Sequence, residues 1–489
     1  MSRKSLATFF GWSRTDCGKR RKSSHRRGSR LGRAWIPRME ALEDRLALST
    51  MSVVNLDDSG PGSLRQAIED ANSSAGVPDV IEFAPGLEGT ISLTNGQLEI
   101  TDDLTIHGPG QGNLTVSGSG LSRVLDVNGT SLAINQLTIA DGFTTSDLTP
   151  PSFRTAGGAG IRATNSTVEL NHVVLENNRI VDSVFSAGAA IHAREGSSVN
   201  LDYVTVRNNE ATGLFFTTGG AIQTSGESTL TVDYSTFVGN RAVNHPASTF
   251  TVSGGAIGAA NGGHTTILHS RFTGNQVDAV NARGAGGAVA NSNGSSLEIA
   301  DSSFRDNSAL GMTAFGGAVV NWFGSSSTIS NSRFLHNAAI GVSEANGGAL
   351  FNGFGSAEFP ASTTIENSAI VGNLASAAVA RGGGIANAFG VANVTIKDSS
   401  IVNNQAVGDQ AQGGGVFTAF GGVVTVRGTN INANQASGDT AGMGGGVYSN
   451  FGGSISVDAK TNIHGNNAST SHDDVFGDLT LLDDLLALV

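Results

Sequence analysis

From residue 157 onward, short stretches alternate apolar side chains with Thr or Ser, as in Thr229-Leu230-Thr231-Val232. That period of two predicts strands, and no stretch in the repeats has the length and period of a helix. The stretches recur in phase with an asparagine, at Asn178, Asn209, Asn240, Asn275, Asn307, Asn337, Asn373, Asn404, Asn434 and Asn466, spaced 30 to 36 residues apart. Three residues before it stand Phe237, Phe272, Phe304, Phe334, Ile370 and Ile401 in successive middle copies. Eight residues before it stand Val232, Ile267, Ile299, Ile329, Ile365 and Ile396. Each unit opens on a glycine pair followed by Ala or Gly and a branched apolar residue, as in Gly219-Gly220-Ala221-Ile222 and Gly382-Gly383-Gly384-Ile385. One strand after the glycines and two leading to the asparagine make three strands per unit.

A three-strand coil cannot bury its own apolar face, whereas identical coils stacked about 4.8 Å apart can. The expected fold is therefore all-β, a right-handed parallel β-helix with three internal ladders and an amide ladder at the asparagine. Unrelated low-complexity repetition and a β-propeller are the alternatives. A propeller needs four strands and usually an aromatic signature in each blade of about 40 residues. The distance from the asparagine to the next glycine pair varies, so this arc reads as a loop, and one edge of the solenoid as a row of loops of the kind that often binds. Residues 51–79 form an N-terminal cap, 80–156 short coils, 157–467 the repeat array and 468–489 a C-terminal cap. Within the first cap, Ser63 to Ala71 reads as a short amphipathic helix. Ser63 and Gln66 have capping-box spacing, and Leu64, Ala67, Ile68 and Ala71 share one face.

Composition narrows the function. The 489 residues include 67 glycines, 9 prolines and one cysteine, so collagen, zinc ribbons and disulfide scaffolds are excluded. Residues 1–50 hold 13 Lys and Arg against 4 Asp and Glu, which leaves 16 basic and 37 acidic residues in the remainder, a balance of −21. A body of that sign repels phosphate backbones, so no nucleic-acid partner is expected. The basic head reads as a disordered export or targeting segment. No apolar run of about 18 residues or more exists, so no integral membrane helix is expected.

Three likenesses bear on these readings. The stretch Met39 to Ser49 resembles an "LExLEDRxLLS"-type pattern found near the start of many exported bacterial repeat proteins. The pairing of Gly-Gly-Ala-Ile with Phe-x-x-Asn resembles the repeat of the polymorphic outer-membrane protein family. The segment Asn55 to Arg65 is similar to the opening of secreted parallel β-helix proteins. These resemblances imply an exported, surface or extracellular, adhesin-like binding protein. Its partners would be cell-surface or matrix glycans or proteins.

The alternative is a polysaccharide lyase or glycoside hydrolase acting on acidic glycans. Its candidate catalytic residues are Asp202 and Asp233, which fall at the same register on neighbouring coils, with Glu169 nearby. Two stacked carboxylates raise one another's pKa or hold a cation, but the same pair also fits a solvated strand face. Lys397 and Arg427, beside Glu366 and Asp398, read as a surface ion-pair patch. His172 and His269 lie three coils apart, and His264 sits in a glycine turn, so no metal set emerges. No organic cofactor is expected. The acidity of the body favours cations, so calcium-assisted folding is an expectation that a melt with and without chelator tests.

Overall fold

A computed structural model describes residues 49–74, 76, 78–145 and 155–482. The basic segment expected to be disordered lies outside the described residues as far as residue 48, as do residues 483–489 of the expected C-terminal cap. The chain forms a right-handed parallel β-helix. Along one coil, Ser198–Asp202 belongs to the first sheet, Thr205–Arg207 to the second, Glu210–Thr218 to the third and Ile222–Ser225 to the fourth. In that order the sheets hold 15, 13, 14 and 13 strands.

Four sheets rather than three correct the sequence reading. The arc after the asparagine, expected as a loop, is the strand of the third sheet, such as Gln276–Ala285 or Ala338–Asn346. Its varying length is absorbed by bulges, as between Ala279 and Arg283 and between Gly311 and Thr313. In later coils the strand bends back, and its two arms share a core of alanines, Ala339 with Ala345 and Ala406 with Ala411. Small residues are required because the arms approach closely. A Cβ at Gly341 would stand 1.9 Å from the Glu344 carbonyl oxygen.

The interior ladders form as expected. Phe237, Phe272, Phe304 and Phe334 are register partners, fully buried, with ring centroids 4.5, 4.7 and 4.9 Å apart. Ile370 and Ile401 continue the column. One apolar core runs from Val53 to Val457. At its edge the Asn307 backbone N–H and side-chain amide both donate to Asn337 Oδ1, at 3.0 and 2.9 Å, and the same amide reaches the Phe272 carbonyl at 3.1 Å. Asn240, Asn275, Asn373 and Asn404 repeat the arrangement. The ladder is closed at both ends: Gly142 N–H donates to Asn178, and Asp474 accepts both donors of Asn466.

Two further ladders accompany it. Five residues before six of the asparagines, Asn240 to Asn404, a buried serine takes the backbone N–H of its counterpart one coil below, as Ser332 Oγ does from Ser302 at 3.1 Å. In the fourth sheet, Asn291, Asn321, Asn352 and Asn387 are linked side chain to side chain at 2.7–2.8 Å. Outside, at the turn after the fourth sheet, Phe323, Phe354, Phe389, Phe420 and Phe451 stack in left-handed backbone conformations.

The glycine pairs serve two different needs. Gly219 turns at φ +63°, and a Cβ there would meet the Ile222 carbonyl at 2.0 Å. At Gly220 a Cβ would stand 2.2 Å from the Gly255 carbonyl one coil on. The first coil is covered by the helix Leu64–Ser73, whose Leu64, Ala67, Ile68 and Ala71 are buried in the core. Ser63 Oγ accepts the Gln66 N–H, but the Gln66 amide turns to Asp70, so only half of the expected capping box forms.

Truncating a ring of the interior column removes contacts on both neighbouring coils. Phe272→Ala is expected to cost about 3–5 kcal/mol in urea unfolding followed by circular dichroism, against about 1 kcal/mol or less for the exposed Phe451→Ala. Equal costs would contradict the dry interior.

Candidate functional site

The structure brings together some of the residues singled out by sequence. Asp202 and Asp233 are register partners on adjacent coils of the first sheet. Each is tied to a neighbour: the Asn171 amide donates to Asp202 at 2.9 Å, and Asp233 Oδ1 contacts His269 Nδ1 at 2.8 Å and the Tyr234 N–H at 3.0 Å. Beside them His172, Tyr203, Tyr234 and His269 form one exposed stack with centroids 4.6–5.1 Å apart. The two histidines thus end a common column although three coils separate them. Glu169 pairs with Asn200, two residues along the strand from the column of Asn171, Asp202 and Asp233. Glu366, Lys397 and Arg427 succeed one another in register, and His264 lies exposed against Ser296. Among the described residues no group of three or more His, Cys, Asp or Glu is placed to hold a metal ion.

A different place has the shape of a ligand site. Where the third-sheet strands Arg179–Ala187 and Glu210–Thr218 fold over the outer face of the fourth sheet, they leave a groove of about 480 Å³. Phe185 and Phe216 wall it, their rings near parallel and 6.2 Å apart, with Phe216 45% exposed. Its floor is polar: His192 and Arg194 from one strand, Gln223 and Ser225 from the next, then Asn261 and Asn293 from the following turns. No carboxylate is among the residues lining it. Gln223 lies flat because Gly258 leaves room for it one coil on, where a Cβ would meet Gln223 Oε1 at 2.2 Å. That buried oxygen has no hydrogen-bond partner among the described residues.

Three arginines gather at the N-terminal end of the groove. Arg123 donates to the Gly158 and Gly157 carbonyls at 2.8 and 3.1 Å and to Gln97 at 2.6 Å. Arg162 forms a two-point pair with Asp126, one contact at 2.9 Å. Arg194 donates Nε to Thr164 Oγ1 at 3.0 Å, with Glu195 3.7 Å away. Burial, and then the charge of Arg162 and Arg194, pulls Arg123 down to about 10 against the attraction of Asp126. Burial and then Arg194, Arg123 and Arg162 hold His192 down at about 3.

The sequence reading missed this groove. Two of its residues, His192 and Gln223, occupy the position just after the apolar residue that follows the glycines, in one column with Arg162 of the preceding coil. In later coils the same column reads Gly258, Ala290, Val320 and Phe351 and is packed against the third sheet. A change from charged to apolar down one column was the available signal, and it is visible only once the coils are aligned.

No family model matches the chain, and no curated protein does. Among solved structures it is similar to β-helix enzymes that act on polysaccharides. The catalytic unit of a thermostable GH87 α-1,3-glucanase from Streptomyces thermodiastaticus is 13% identical, with a TM-score of 0.38 over 88% of this chain and 71% of that one. A PL6 alginate lyase in complex with a trisaccharide is 11% identical, TM-score 0.37, over 90% and 97%. A mannuronic acid specific family 6 lyase from human gut microbiota is 8% identical, TM-score 0.34, over 89% and 92%. No described helix is long and apolar enough to cross a membrane.

The buried imidazole has a consequence for stability. His192 is 5% exposed and stays neutral in the folded chain, whereas unfolded it takes a proton below about 6.5. The unfolded state therefore binds more protons between about 6.5 and 3, so stability falls as pH falls through that window and is unaffected by this group above it. In thermal melts from pH 7 to pH 4, His192→Asn should lose less stability than the wild type. Parallel losses would contradict the neutral imidazole.

Proposed function

We propose that the protein is an exported, surface or extracellular β-helix whose activity is to bind glycan chains in the groove over the fourth sheet. The observation that carries this reading is the pairing of an aromatic wall, Phe185 and Phe216, with a floor of amide, hydroxyl and guanidinium groups along four coils. Sugar rings present C–H faces to aromatic side chains and hydroxyls to amides, and an open groove along the solenoid axis suits a chain rather than a single sugar. Surface or matrix glycans are the corresponding partners.

Binding is favoured over cleavage by what the groove offers. Acid–base catalysis needs a group whose pKa lies near the working pH, or a pair of carboxylates flanking the scissile bond. His192 is held near 3, Asp126 is engaged by Arg162, and Asp202 and Asp233 belong to the first sheet rather than to the groove lining. The lyase or hydrolase reading makes the opposite forecast, that a glycan is consumed.

Affinity electrophoresis of the full chain through gels holding neutral and acidic polysaccharides tests both, with the polymer afterwards assayed for new reducing ends and unsaturated products. Retardation by at least one polymer, intact products and a roughly tenfold weaker retardation of Phe216→Ala are expected. Free migration through every polymer would overturn the glycan reading, and accumulating product would replace binding by catalysis.

A further inference from the structure

The groove has a charge pattern as well as a shape. Three guanidiniums, Arg123, Arg162 and Arg194, converge at one end of it, in a body where acidic residues outnumber basic ones by 21 beyond residue 50. They differ in what they have left to give. Arg123 is occupied by two carbonyls and Gln97, and Arg162 is held in two-point contact by Asp126. Arg194, which lines the groove, commits Nε to Thr164 and leaves its two terminal amines without a hydrogen bond among the described residues. On the adjacent coil the buried Gln223 carbonyl is an unpaired acceptor.

A neutral sugar would leave Arg194 as found. A carboxylate suits the open guanidinium edge, because planar fork-to-fork pairing gives two charge-assisted hydrogen bonds. With Glu99, Asp126 and Glu195 against three arginines the patch is balanced, which spares an anion the repulsion that the rest of this acidic surface offers. The imidazole of His192 does not compete for the anion, since burial and the same arginines keep it uncharged.

We propose that the groove is a subsite for a hexuronic acid residue of a polyanionic glycan, with its carboxylate on the Arg194 fork. This rests on the glycan reading above and narrows it to one class of sugar. The assignment differs from carboxylate catalysis at Asp202 and Asp233, which repel the same ligand.

The test uses the full chain with oligogalacturonate and its fully methyl-esterified counterpart, which lacks the charge and carries one methyl more on each residue, and measures binding by calorimetry. The acid form is expected to bind at least tenfold more tightly than the ester and to weaken about tenfold between low and high salt. Arg194→Gln and Arg194→Lys should each lose about tenfold for the acid form while leaving the ester unchanged. Arg271→Gln, an arginine of the second sheet, should bind as the wild type does. Equal binding of acid and ester, or full binding by a folded Arg194→Gln, overturns the carboxylate subsite and leaves the glycan reading standing. Binding of neither overturns the subsite, while the glycan reading falls only if the chain also migrates freely through every polymer in the gels. Should the Arg194 variants fail to fold, the acid-to-ester ratio and the salt dependence of the wild type still decide.

Discussion

The fold depends on one interaction, the amide-to-amide hydrogen bond carried from coil to coil by a buried asparagine. Each asparagine is fully enclosed, and a buried amide without partners costs several kcal/mol. Only the neighbouring coil can supply those partners, because the side chain of Asn307 and its own backbone N–H both end on Asn337 Oδ1. A slip of one residue in any coil would break the bond on both sides. The ladder therefore sets register, and the apolar columns add the stabilisation. Phe272 lies over Phe304 because Asn275 lies over Asn307. The ladder's ends follow the same logic: Asp474 supplies the carboxylate oxygen that a further asparagine would have provided.

Much of this was legible because the constraint is periodic. The Phe and Ile column, the asparagines and the glycine pairs each recur at one phase, so their stacking could be read without coordinates. The helix over Leu64–Ser73 was legible for a different reason, its capping serine and single apolar face. What escaped was the part of the repeat that is free to vary. The third-sheet strand hides because bulges and bends absorb insertions, and its inward residues are mostly alanine, which carries little hydrophobic signal. The serine ladder was overlooked because serine is common throughout the chain. The second asparagine set, Asn291 to Asn387, spans only four coils. The Phe-Gly pairs such as Phe323-Gly324 and Phe354-Gly355 recur plainly, yet they build an outer turn stack rather than the core.

The candidate site illustrates how a solenoid makes function without altering its core. The same outward column that is sealed by Val320 and Phe351 in later coils carries Arg162, His192 and Gln223 in earlier ones. The third-sheet strand covers both regions, but over the earlier coils it meets polar groups and leaves a groove. Asp202 and Asp233 were visible as a pair because they share a register. The structure shows them bound into a surface column with Asn171, Tyr234 and His269, while the groove gathers residues from strands, turns and the overlying sheet that no single motif unites.

Amide hydrogen exchange at Asn307 in Asn337→Ala tests the central constraint most directly. The account expects the Asn307 N–H, deprived of its only acceptor and left facing the interior, to exchange about a hundredfold faster than in the wild type, with the neighbouring coils loosened. Unchanged protection at Asn307 would show that the stack holds its register without the amide ladder, and the account would be wrong.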